Sequence, residues 1–313
     1  MRALVTGGNG FIGRHLCAEL TAGGYEVICS DINAAGDCER LDITNHADVA
    51  AALAACRPDV IFNLAGQANV GLSWKEPQLT VQLNTIGFIN ILESVKASGR
   101  KIRVIAMGSA DVYGKLGKHG ANVTEDMPLS PTNPYAVSKQ VQEQFAVMYA
   151  RCYGLDLCAV RQFNLAGAGQ AKGYMISDFA SGIAEIEAGQ RAYLSVGNLE
   201  NARDFTHVKD ACRALRLIAE KGRAGEIYNI CSGKAYKAQE ILDRLIAMSP
   251  VPIEIRPDPA RIRPSDTPVI FGSHAKLSAD TGWEPQLTID EILTDALEDW
   301  RSEINKRSEN ICG

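Results

Sequence analysis

The sequence contains nine cysteines among its 313 residues but no C-x-x-C pair. Cysteine pairs at that spacing are typical of zinc sites and redox motifs, and an odd number of scattered cysteines does not suggest a disulfide framework. We therefore expect reduced thiols, as in a cytoplasmic protein. The five histidines lack the spacing of metal ligands, so no metal site is predicted.

Long apolar runs and an excess of positive charge are also lacking. No uninterrupted apolar stretch is long enough to span a bilayer, and the first residues lead directly into a predicted strand, which leaves no room for a secretion signal. The net charge is −5, so no general attraction to nucleic acids or acidic membranes is expected. The remaining composition, 46% hydrophobic and 22% charged, is ordinary for a globular α/β protein.

Short apolar runs alternate with helical patterns along the chain. Strands are predicted at residues 2–6, 25–30, 60–64, 103–109, 156–162 and 227–230, and helices at 12–22, 49–55, 80–98, 134–153 and about 208–220. This alternation predicts an α/β fold with a Rossmann-type, doubly wound parallel sheet. Frequent glycines and prolines after residue 164 indicate a smaller C-terminal substrate-binding lobe.

The predicted domains are discontinuous. We expect residues 1–164 and about 206–232 to form a dinucleotide-binding domain, and residues 165–205 and 233–302 to form the smaller lobe. Residues 303–313 are polar and are expected to be a frayed tail.

Three glycines lie between the first predicted strand and the first predicted helix. Gly7, Gly10 and Gly13 are spaced three apart. A tight turn that brings the backbone close to a pyrophosphate requires residues without a β-carbon, and the N-terminus of the following helix then faces the phosphates. The pattern therefore predicts a dinucleotide site.

Asp31 follows the second predicted strand at the distance expected for a ribose ligand. Its carboxylate would accept hydrogen bonds from the adenosine ribose and would repel a 2′-phosphate, which favours NAD over NADP. A simple turn residue is the alternative. Asp42 is a plausible adenine contact, although a surface loop explains it nearly as well.

Tyr135 and Lys139 stand four residues apart in a predicted helix and so lie on one face. A protonated lysine there would make a nearby phenol more acidic, and such a phenol exchanges a proton with a carbonyl or alcohol oxygen. Together with hydride from a nicotinamide, this is the chemistry of alcohol and ketone interconversion.

Several motifs carry a resemblance to a known family. T-G-G-N-G-F-I-G at 6–13, N-L-A-G-Q at 63–67, Ser109 and Y-A-V-S-K at 135–139 resemble the extended short-chain dehydrogenases/reductases, which act mostly on nucleotide-sugars. R-Q-F-N at 161–164, V-G-N-L-E-N-A-R-D-F-T at 196–206 and R-I-R-P-S-D-T-P at 261–268 resemble its GDP-deoxyhexose branch. The similarity extends from residue 1 to about residue 301.

The resemblance implies a function and a set of site residues. The implied reaction is NAD(P)H-dependent reduction of the C4 ketone of a GDP-4-keto-6-deoxyhexose, such as GDP-4-dehydro-6-deoxy-D-mannose to GDP-D-rhamnose, with NAD(H) preferred and NADP(H) usable. Tyr135 would protonate the C4 oxygen, Ser109 would polarise it, and Lys139 would bind the nicotinamide ribose. The cofactor-binding residues implied are Gly7, Gly10, Phe11, Ile12, Gly13, Asp31, Asp42, Ile43, Leu64, Ala65, Gln67, Tyr135 and Lys139.

The substrate-binding residues are implied mainly by the C-terminal motifs. Arg203 and Arg263 are fork-shaped donors suited to a diphosphate, and Asp266 would accept from the GDP ribose. Asn164 and Asn198 would contact the diphosphate and the guanine. Without the resemblance, R-I-R-P-S-D would be taken for a solvated loop.

Other functions stay open at this point. A 4,6-dehydratase or epimerase uses the same parts with an internally recycled NAD, and a non-catalytic dinucleotide sensor is a further alternative. The related dehydratases carry Thr and Glu where this chain has Ser109 and Asp111. The shorter aspartate makes proton transfer at C5 less favourable, so we take Asp111 as a substrate-shaping residue. Asn84 is either a helix cap or a supporting residue of the site.

The predicted helices 80–98 and 134–153 carry more apolar residues than one face against a sheet requires. The resemblance implies that the surplus forms a four-helix bundle in a homodimer, and the alternative is coverage within one chain. The residues concerned are Ile86, Phe88, Ile89, Ile91, Leu92, Val141, Phe145, Val147 and Met148.

Overall fold

The computed structural model describes residues 1–114, 122–260 and 269–307 with their side chains, and the backbone of residues 261 and 308–312. The strands of these residues are β1 (Arg2–Thr6), β2 (Glu26–Asp31), β3 (Glu39–Arg40), β4 (Val60–Asn63), β5 (Arg103–Met107), β6 (Asn122–Val123), β7 (Leu157–Gln162), β8 (Asn164–Ala166), β9 (Leu194–Val196), β10 (Ala202–His207), β11 (Ile227–Ile230), β12 (Ala235–Lys237), β13 (Ile255–Pro257) and β14 (Val269–Gly272).

The helices are α1 (Phe11–Ala22), α2 (His46–Cys56), α3 (Val70–Lys75), α4 (Pro77–Val81), α5 (Gly87–Ser98), α6 (Pro134–Tyr153), α7 (Met175–Glu187), α8 (Val208–Lys221), α9 (Ala238–Ala247), α10 (Ala275–Thr281) and α11 (Ile289–Cys312). A π-helical segment, Gln82–Ile86, joins α4 to α5, and short 3₁₀ turns lie at Ala110–Tyr113 and Pro259–Arg261. Within the described residues, no helix is both long and apolar enough to cross a membrane.

The large sheet has the strand order β11-β7-β5-β4-β1-β2-β3, and its neighbouring strands are parallel. The predicted doubly wound sheet is thereby confirmed. The chain runs from β1 to β2 and β3 on one side of β1 and then crosses to β4 on the other side. Ligands bind at such a switch point, beyond the carboxyl ends of the strands. The glycine-rich turn after β1, the loop after β4 and Ser109 after β5 therefore share one edge.

Two apolar cores cover the faces of this sheet. On one face α1 and α8 pack over strand residues such as Val5 and Val160, and on the other face α5 and α6 pack over residues such as Ile61 and Ala159. The near-continuous apolar strands are what a sheet buried on both faces requires. The predicted return of the chain through α8 and β11 is confirmed.

Two smaller sheets are built mostly from the second half of the chain. Their orders are β12-β10-β14-β6, with β8 beside β10, and β13-β9. Helices α7, α9 and α11 share a separate apolar core with β9 and Phe205 of β10. These sheets support the predicted two-lobe division, which stays a prediction. The pairing of β6 with β14 adds a segment of the first half to the smaller sheets.

The C-terminal segment differs from the expectation of a frayed tail. Helix α11 continues from Ile289 to Cys312. Ile304 is 4% exposed and belongs to the core of α7, α9 and α11. The polar composition beyond residue 301 concealed this apolar anchor, which packs against neighbours that are distant in sequence.

A buried ion pair fixes helix α6 against the large sheet. Arg161 of β7 donates to both carboxylate oxygens of Glu143 at 2.8 Å, and each side chain is 4% exposed. Arg161 also donates to the hydroxyl of Tyr113 at 2.8 Å and to the carbonyl of Glu125 at 2.9 Å. The hydroxyl of Tyr113 donates in turn to Asn229 of β11.

We predict that Glu143→Gln destabilises the protein by about 3–5 kcal/mol, because it leaves the Arg161 guanidinium buried without its counter-charge. Urea unfolding at neutral pH measures the loss. The matched control is Glu240→Gln, which removes a carboxylate from an exposed pair with Arg244 on α9 and should cost less than about 1 kcal/mol. Equal losses in the two variants would contradict the assignment of Glu143 as a structural anchor.

Candidate active site

The glycine-rich turn forms a cradle that side chains would fill. A β-carbon on Gly7, whose φ is +70°, would lie 2.8 Å from the nitrogen of Ala65, and one on Gly13 would lie 2.6 Å from the α-carbon of Gly8. A β-carbon on Gly10 would lie 3.1 Å from the carbonyl of Gly7. The turn therefore fits the close backbone approach that a pyrophosphate needs at the start of α1.

The neighbouring cofactor-binding candidates support this cradle. Phe11 and Ile12 begin α1 and pack against the core beneath the turn. Leu64 and Ala65 follow β4 on the same edge, where the nitrogen of Ala65 donates to the hydroxyl of Thr6 at 3.2 Å. These contacts bring the first and fourth strands together around the predicted dinucleotide site.

Asp31 lies at the end of β2, close to the glycine-rich turn. Its carboxylate accepts hydrogen bonds from the backbone nitrogens of Asn9, at 3.2 Å, and Asn33, at 3.0 Å. Arg40 is its partner residue in the pairing of β2 with β3. A carboxylate and a cation thus occur on the edge where the adenosine ribose is expected.

Asp42 and Ile43 have local structural partners. The carboxylate of Asp42 accepts from the backbone nitrogen and the hydroxyl of Thr44, at 2.9 and 2.7 Å. Ile43 is buried against Gly87 of α5. Both residues shape the loop after β3, and their contact with adenine stays a prediction.

Gln67 and Asn84 form a buried network that joins the loop after β4 to helix α6. Asn84 accepts from the backbone nitrogen of Gln67 at 2.8 Å and donates to Gln67 carbonyl and to the hydroxyl of Ser138, at 3.0 and 2.9 Å. The side chain of Gln67 contacts Asn69 and Thr80. Asn84 is therefore a supporting residue within the π-helical segment rather than a cap, and such segments are frequent at functional sites.

Ser109, Tyr135 and Asp111 converge at the carboxyl end of β5. The Ser109 hydroxyl lies near enough to the phenol of Tyr135 to lower its pKa, and the backbone nitrogen of Asp111 donates to the Ser109 hydroxyl at 3.2 Å. Tyr135 is half-buried at the first turn of α6, which Asn133 caps by accepting from the nitrogen of Ala136.

The phenol of Tyr135 is less acidic than the sequence led us to expect. Burial raises the pKa of Tyr135, the carboxylate of Asp111 raises it further, and the nearby hydroxyl of Ser109 lowers it. The expectation of an acidified phenol is therefore wrong for this structure, since desolvation and a nearby negative charge both disfavour the phenolate.

Lys139 is buried one helical turn beyond Tyr135. Its ammonium donates to the carbonyl of Met107 at 2.7 Å and to Gln142 Oε1 at 3.0 Å. Gln142 also donates to Met107 carbonyl at 3.3 Å, so this amide positions the lysine. Burial lowers the pKa of Lys139 to about 8. The sequence analysis missed Gln142, although its spacing of three from Lys139 on a helix was visible.

The substrate-binding candidates fall into two groups. Asn164 of β8 donates to the carbonyl of Asp204 at 3.1 Å, Arg203 lies in β10 beside it, and Asn198 accepts from the nitrogen of Glu200 in an exposed turn. Arg263 and Asp266 lie outside the described residues. The structure thus places the first three candidates at or near the smaller sheets.

Asp204 was not predicted, although it follows Arg203 directly. It is fully buried, and its carboxylate accepts from the backbone nitrogens of Ser232, Gly233 and Gly272 and from the hydroxyl of Ser232, at 2.6–3.2 Å. These bonds connect β10 to the turn after β11 and to the end of β14. No local pattern in the sequence indicates these partners.

The comparisons with known proteins agree with this geometry. The model of the family described as GDP-mannose 4,6 dehydratase matches residues 4–296. The chain belongs to this family of extended short-chain dehydrogenases/reductases. Within the described residues of this family member, no group of three or more histidine, cysteine, aspartate or glutamate side chains is arranged to bind a metal.

Two curated relatives cover most of the chain. It is 34% identical to GDP-6-deoxy-D-mannose reductase of Pseudomonas aeruginosa over 306 residues, which is 97% of this chain and 99% of that protein. It is 30% identical to GDP-6-deoxy-D-talose 4-dehydrogenase of Aggregatibacter actinomycetemcomitans, over 88% of this chain and 90% of that one.

Two solved structures are similar to this chain over nearly its whole length. RMD from Pseudomonas aeruginosa, complexed with NADPH, matches with a TM-score of 0.88 at 33% identity, covering 96% of this chain and 99% of that one. The UDP-glucose 4-epimerase of Thermus thermophilus, complexed with NAD, matches with a TM-score of 0.87 at 27% identity and the same coverage.

The buried Lys139 generates a prediction for stability. The pKa of Lys139 is lowered to about 8 in the folded protein, so above that pH the unfolded chain binds more protons than the folded one. The free energy of unfolding therefore rises as the pH increases above about 8, and it falls again as the pH returns to 8. Relative to Lys139→Met, we expect wild-type protein to gain about 1–2 kcal/mol in the free energy of unfolding between about pH 7.5 and 9.5.

Urea unfolding at several pH values measures this difference. The exposed Lys101 provides the control, since Lys101→Met should give a difference that does not vary with pH over this range. A pH-independent difference for Lys139→Met would mean that the Lys139 ammonium is not desolvated.

Proposed function

We propose that the protein is an NAD(P)H-dependent reductase that converts the C4 ketone of GDP-4-dehydro-6-deoxy-D-mannose into the alcohol of GDP-D-rhamnose. The observation that supports it most is the placement of Ser109 beside the phenol of Tyr135, next to buried Lys139, on the same sheet edge as the glycine cradle. The similarity to GDP-6-deoxy-D-mannose reductase supports the choice of substrate.

Tyr135 acts as the general acid in this proposal. Its raised pKa keeps the phenol protonated at neutral pH, which is the state that a proton donor requires. When bound in the cradle, the dinucleotide supplies the hydride. As negative charge develops on the C4 oxygen, its basicity exceeds that of the phenolate, and Tyr135 transfers its proton. Ser109 donates a hydrogen bond to the same oxygen and stabilises the charge.

In this proposal Lys139 binds and orients the nicotinamide ribose, and it does not transfer the proton. Its ammonium is already directed to the carboxyl end of β5 by Met107 and Gln142. From this position it would donate to the nicotinamide ribose. Burial makes its hydrogen bonds to the ribose stronger than they would be in water.

The smaller sheets supply the GDP site in this proposal. Arg203 would bind the diphosphate, with Asn164 and Asn198 near the diphosphate and the guanine. Asp204 fixes β10, which carries Arg203, to the turn after β11 and to the end of β14. Arg263 and Asp266 stay predicted ligands of the diphosphate and the ribose.

The second candidate function is a 4,6-dehydratase or epimerase that recycles its NAD. Asp111 lies close enough to raise the pKa of Tyr135, so a second acid–base group is near the proposed acid. The similarity to GDP-mannose 4,6-dehydratase of Yersinia enterocolitica, at 24% identity, is lower than that to the reductase.

Cofactor consumption distinguishes these functions. With GDP-4-dehydro-6-deoxy-D-mannose, a reductase is expected to oxidise one NADH or NADPH for each product formed, because no step regenerates it. Absorbance at the nicotinamide band and NMR of the product measure both quantities. Conversion of this keto sugar without net oxidation would instead support the epimerase, and absence of conversion together with its formation from the GDP-hexose would support the dehydratase.

The dinucleotide preference follows from Asp31. Its carboxylate would bind the ribose hydroxyls and repel a 2′-phosphate, so we propose that NADH is preferred. Arg40, opposite Asp31, is the cation through which NADPH would still be usable. A cytoplasmic location is also proposed, and cell fractionation tests it.

We predict that Tyr135→Phe lowers kcat by about 10²–10⁴-fold, which is the usual contribution of a positioned general acid. The ring packing is kept, so dinucleotide affinity should change little. Tyr153→Phe, at the exposed end of the same helix, is the control and should retain full activity. Steady-state kinetics and a fluorescence titration measure the two effects, and more than about a tenth of wild-type kcat in Tyr135→Phe would exclude it as the acid.

We also propose that the protein is a homodimer. Phe88, Ile91 and Leu92 are buried within the chain, so part of the predicted apolar surplus covers the sheet. Exposed apolar side chains remain on α3, α4 and α6 and on the π-helical segment between α4 and α5. They are Leu72, Trp74, Leu79, Val81, Ile86, Val137, Met148 and Tyr153.

We predict that Met148→Glu weakens the dimer, because it places a charge on an apolar interface. Light scattering at micromolar concentration should give twice the 33.8 kDa chain mass for wild-type protein and a lower mass for the variant. Val251→Glu, on an exposed turn outside these helices, should stay dimeric. A monomeric wild-type protein would contradict the proposed assembly.

A further inference from the structure

One disulfide lies beside the predicted dinucleotide site. Cys29 of β2 and Cys38 are bonded across nine positions. The expectation of reduced thiols is therefore wrong for this pair. Among the cysteines whose side chains the structure describes, the other six are free thiols, namely Cys17, Cys56, Cys152, Cys158, Cys212 and Cys231. Sequence spacing did not indicate the pair, because the turn between β2 and β3 is what brings the two residues together.

The disulfide is packed against the glycine-rich turn. A β-carbon on Gly8 would come within 3.0 Å of Cys29 Sγ and would lie 3.3 Å from Cys38 Sγ. The nitrogen of Gly8 also donates to the carbonyl of Ser30 at 2.9 Å. The covalent bond and the phosphate-binding turn thus share one contact surface.

The segment enclosed by the disulfide carries the candidate ribose ligand. It begins with Ser30 and Asp31, and its residues 32–37 are exposed. Besides the bond from Gly8 to Ser30, the side chain of Asn9 donates to the carbonyl of Asn33 at 2.6 Å, and the backbone nitrogens of Asn9 and Asn33 donate to the Asp31 carboxylate. The segment has no apolar anchor of its own, since Cys38 is its first buried residue after Ser30.

We propose that the Cys29–Cys38 disulfide positions the segment 30–37 for the adenosine ribose, so that dinucleotide affinity depends on the redox state of this pair. The bond restrains both ends of an exposed segment and keeps Asp31 close to Asn9. Without it, binding must also order the segment, and that loss of freedom lowers affinity.

The redox step uses an external dithiol. One thiolate of the dithiol attacks a sulfur of the pair and forms a mixed disulfide, and its second thiol then displaces the cysteine. Two electrons and two protons pass to Cys29 and Cys38, and the dithiol becomes a cyclic disulfide. Cys29 is partly exposed and the segment lies on the surface, so a small dithiol has access.

The test compares dinucleotide binding in the two redox states. Wild-type protein is titrated with NADH and, separately, with NADPH by calorimetry, first oxidised, then after dithiothreitol, then after reoxidation. Mass spectrometry after alkylation reports the state of the pair. We expect the Kd for the preferred dinucleotide to rise about 3- to 10-fold on reduction and to recover on reoxidation. Limited proteolysis within residues 32–37 should accelerate in the reduced protein.

Variants separate this pair from the other thiols. The double variant Cys29→Ser with Cys38→Ser should bind like reduced wild-type protein and should not respond to dithiothreitol. Cys152→Ser, which removes an exposed free thiol, should respond like wild-type protein. Equal Kd values for oxidised and reduced wild-type protein would overturn the proposal, as would a double variant that still responds.

The proposal rests on the dinucleotide part of the proposed function and not on the GDP-sugar. Failure of NADH and NADPH to bind in either redox state would overturn the cofactor assignment together with this proposal. Unchanged affinity on reduction would overturn only the role of the disulfide.

Discussion

The buried ion pair between Arg161 and Glu143 is the constraint on which the site depends most. Glu143 lies one helical turn beyond Lys139 and two turns beyond Tyr135, on the same side of α6. Because a helix is rigid over this length, fixing Glu143 to β7 also fixes the two residues of the site relative to the sheet. The Arg161 guanidinium also donates to Tyr113 and Glu125, and a buried charge requires such partners.

The same helix is restrained from its other side. Asn84 donates to Ser138 of α6 and accepts from the backbone of the loop after β4. The amide therefore links the loop beside the glycine cradle to the helix that carries the proposed acid. Burial of Lys139 at this junction costs stability, since it disfavours the charged ammonium. A desolvated charge of this kind is typical of functional sites.

The smaller sheet that contains β10 is connected to the large sheet through a different buried carboxylate. Asp204 accepts bonds from the turn after β11 and from the end of β14, and burial raises its pKa. The segment that carries Asp31 is restrained by a third feature, the Cys29–Cys38 disulfide. Backbone turns at the edge of a sheet are intrinsically adaptable, and in this protein buried polar or covalent bonds restrain each of them.

The sequence by itself determined the parallel sheet, the glycine cradle and helix α6, whose bounds of Pro134 to Tyr153 were predicted correctly. These features depend on local patterns: apolar periodicity, residues without a β-carbon, a cap at Asn133 and a terminating Gly154. The tertiary structure decided the disulfide, the role of Asn84, the helical continuation through Ile304 and the raised pKa of Tyr135. Each of these depends on a partner that is distant in sequence or on how deeply a side chain is buried. A local sequence pattern specifies neither the partner nor the burial.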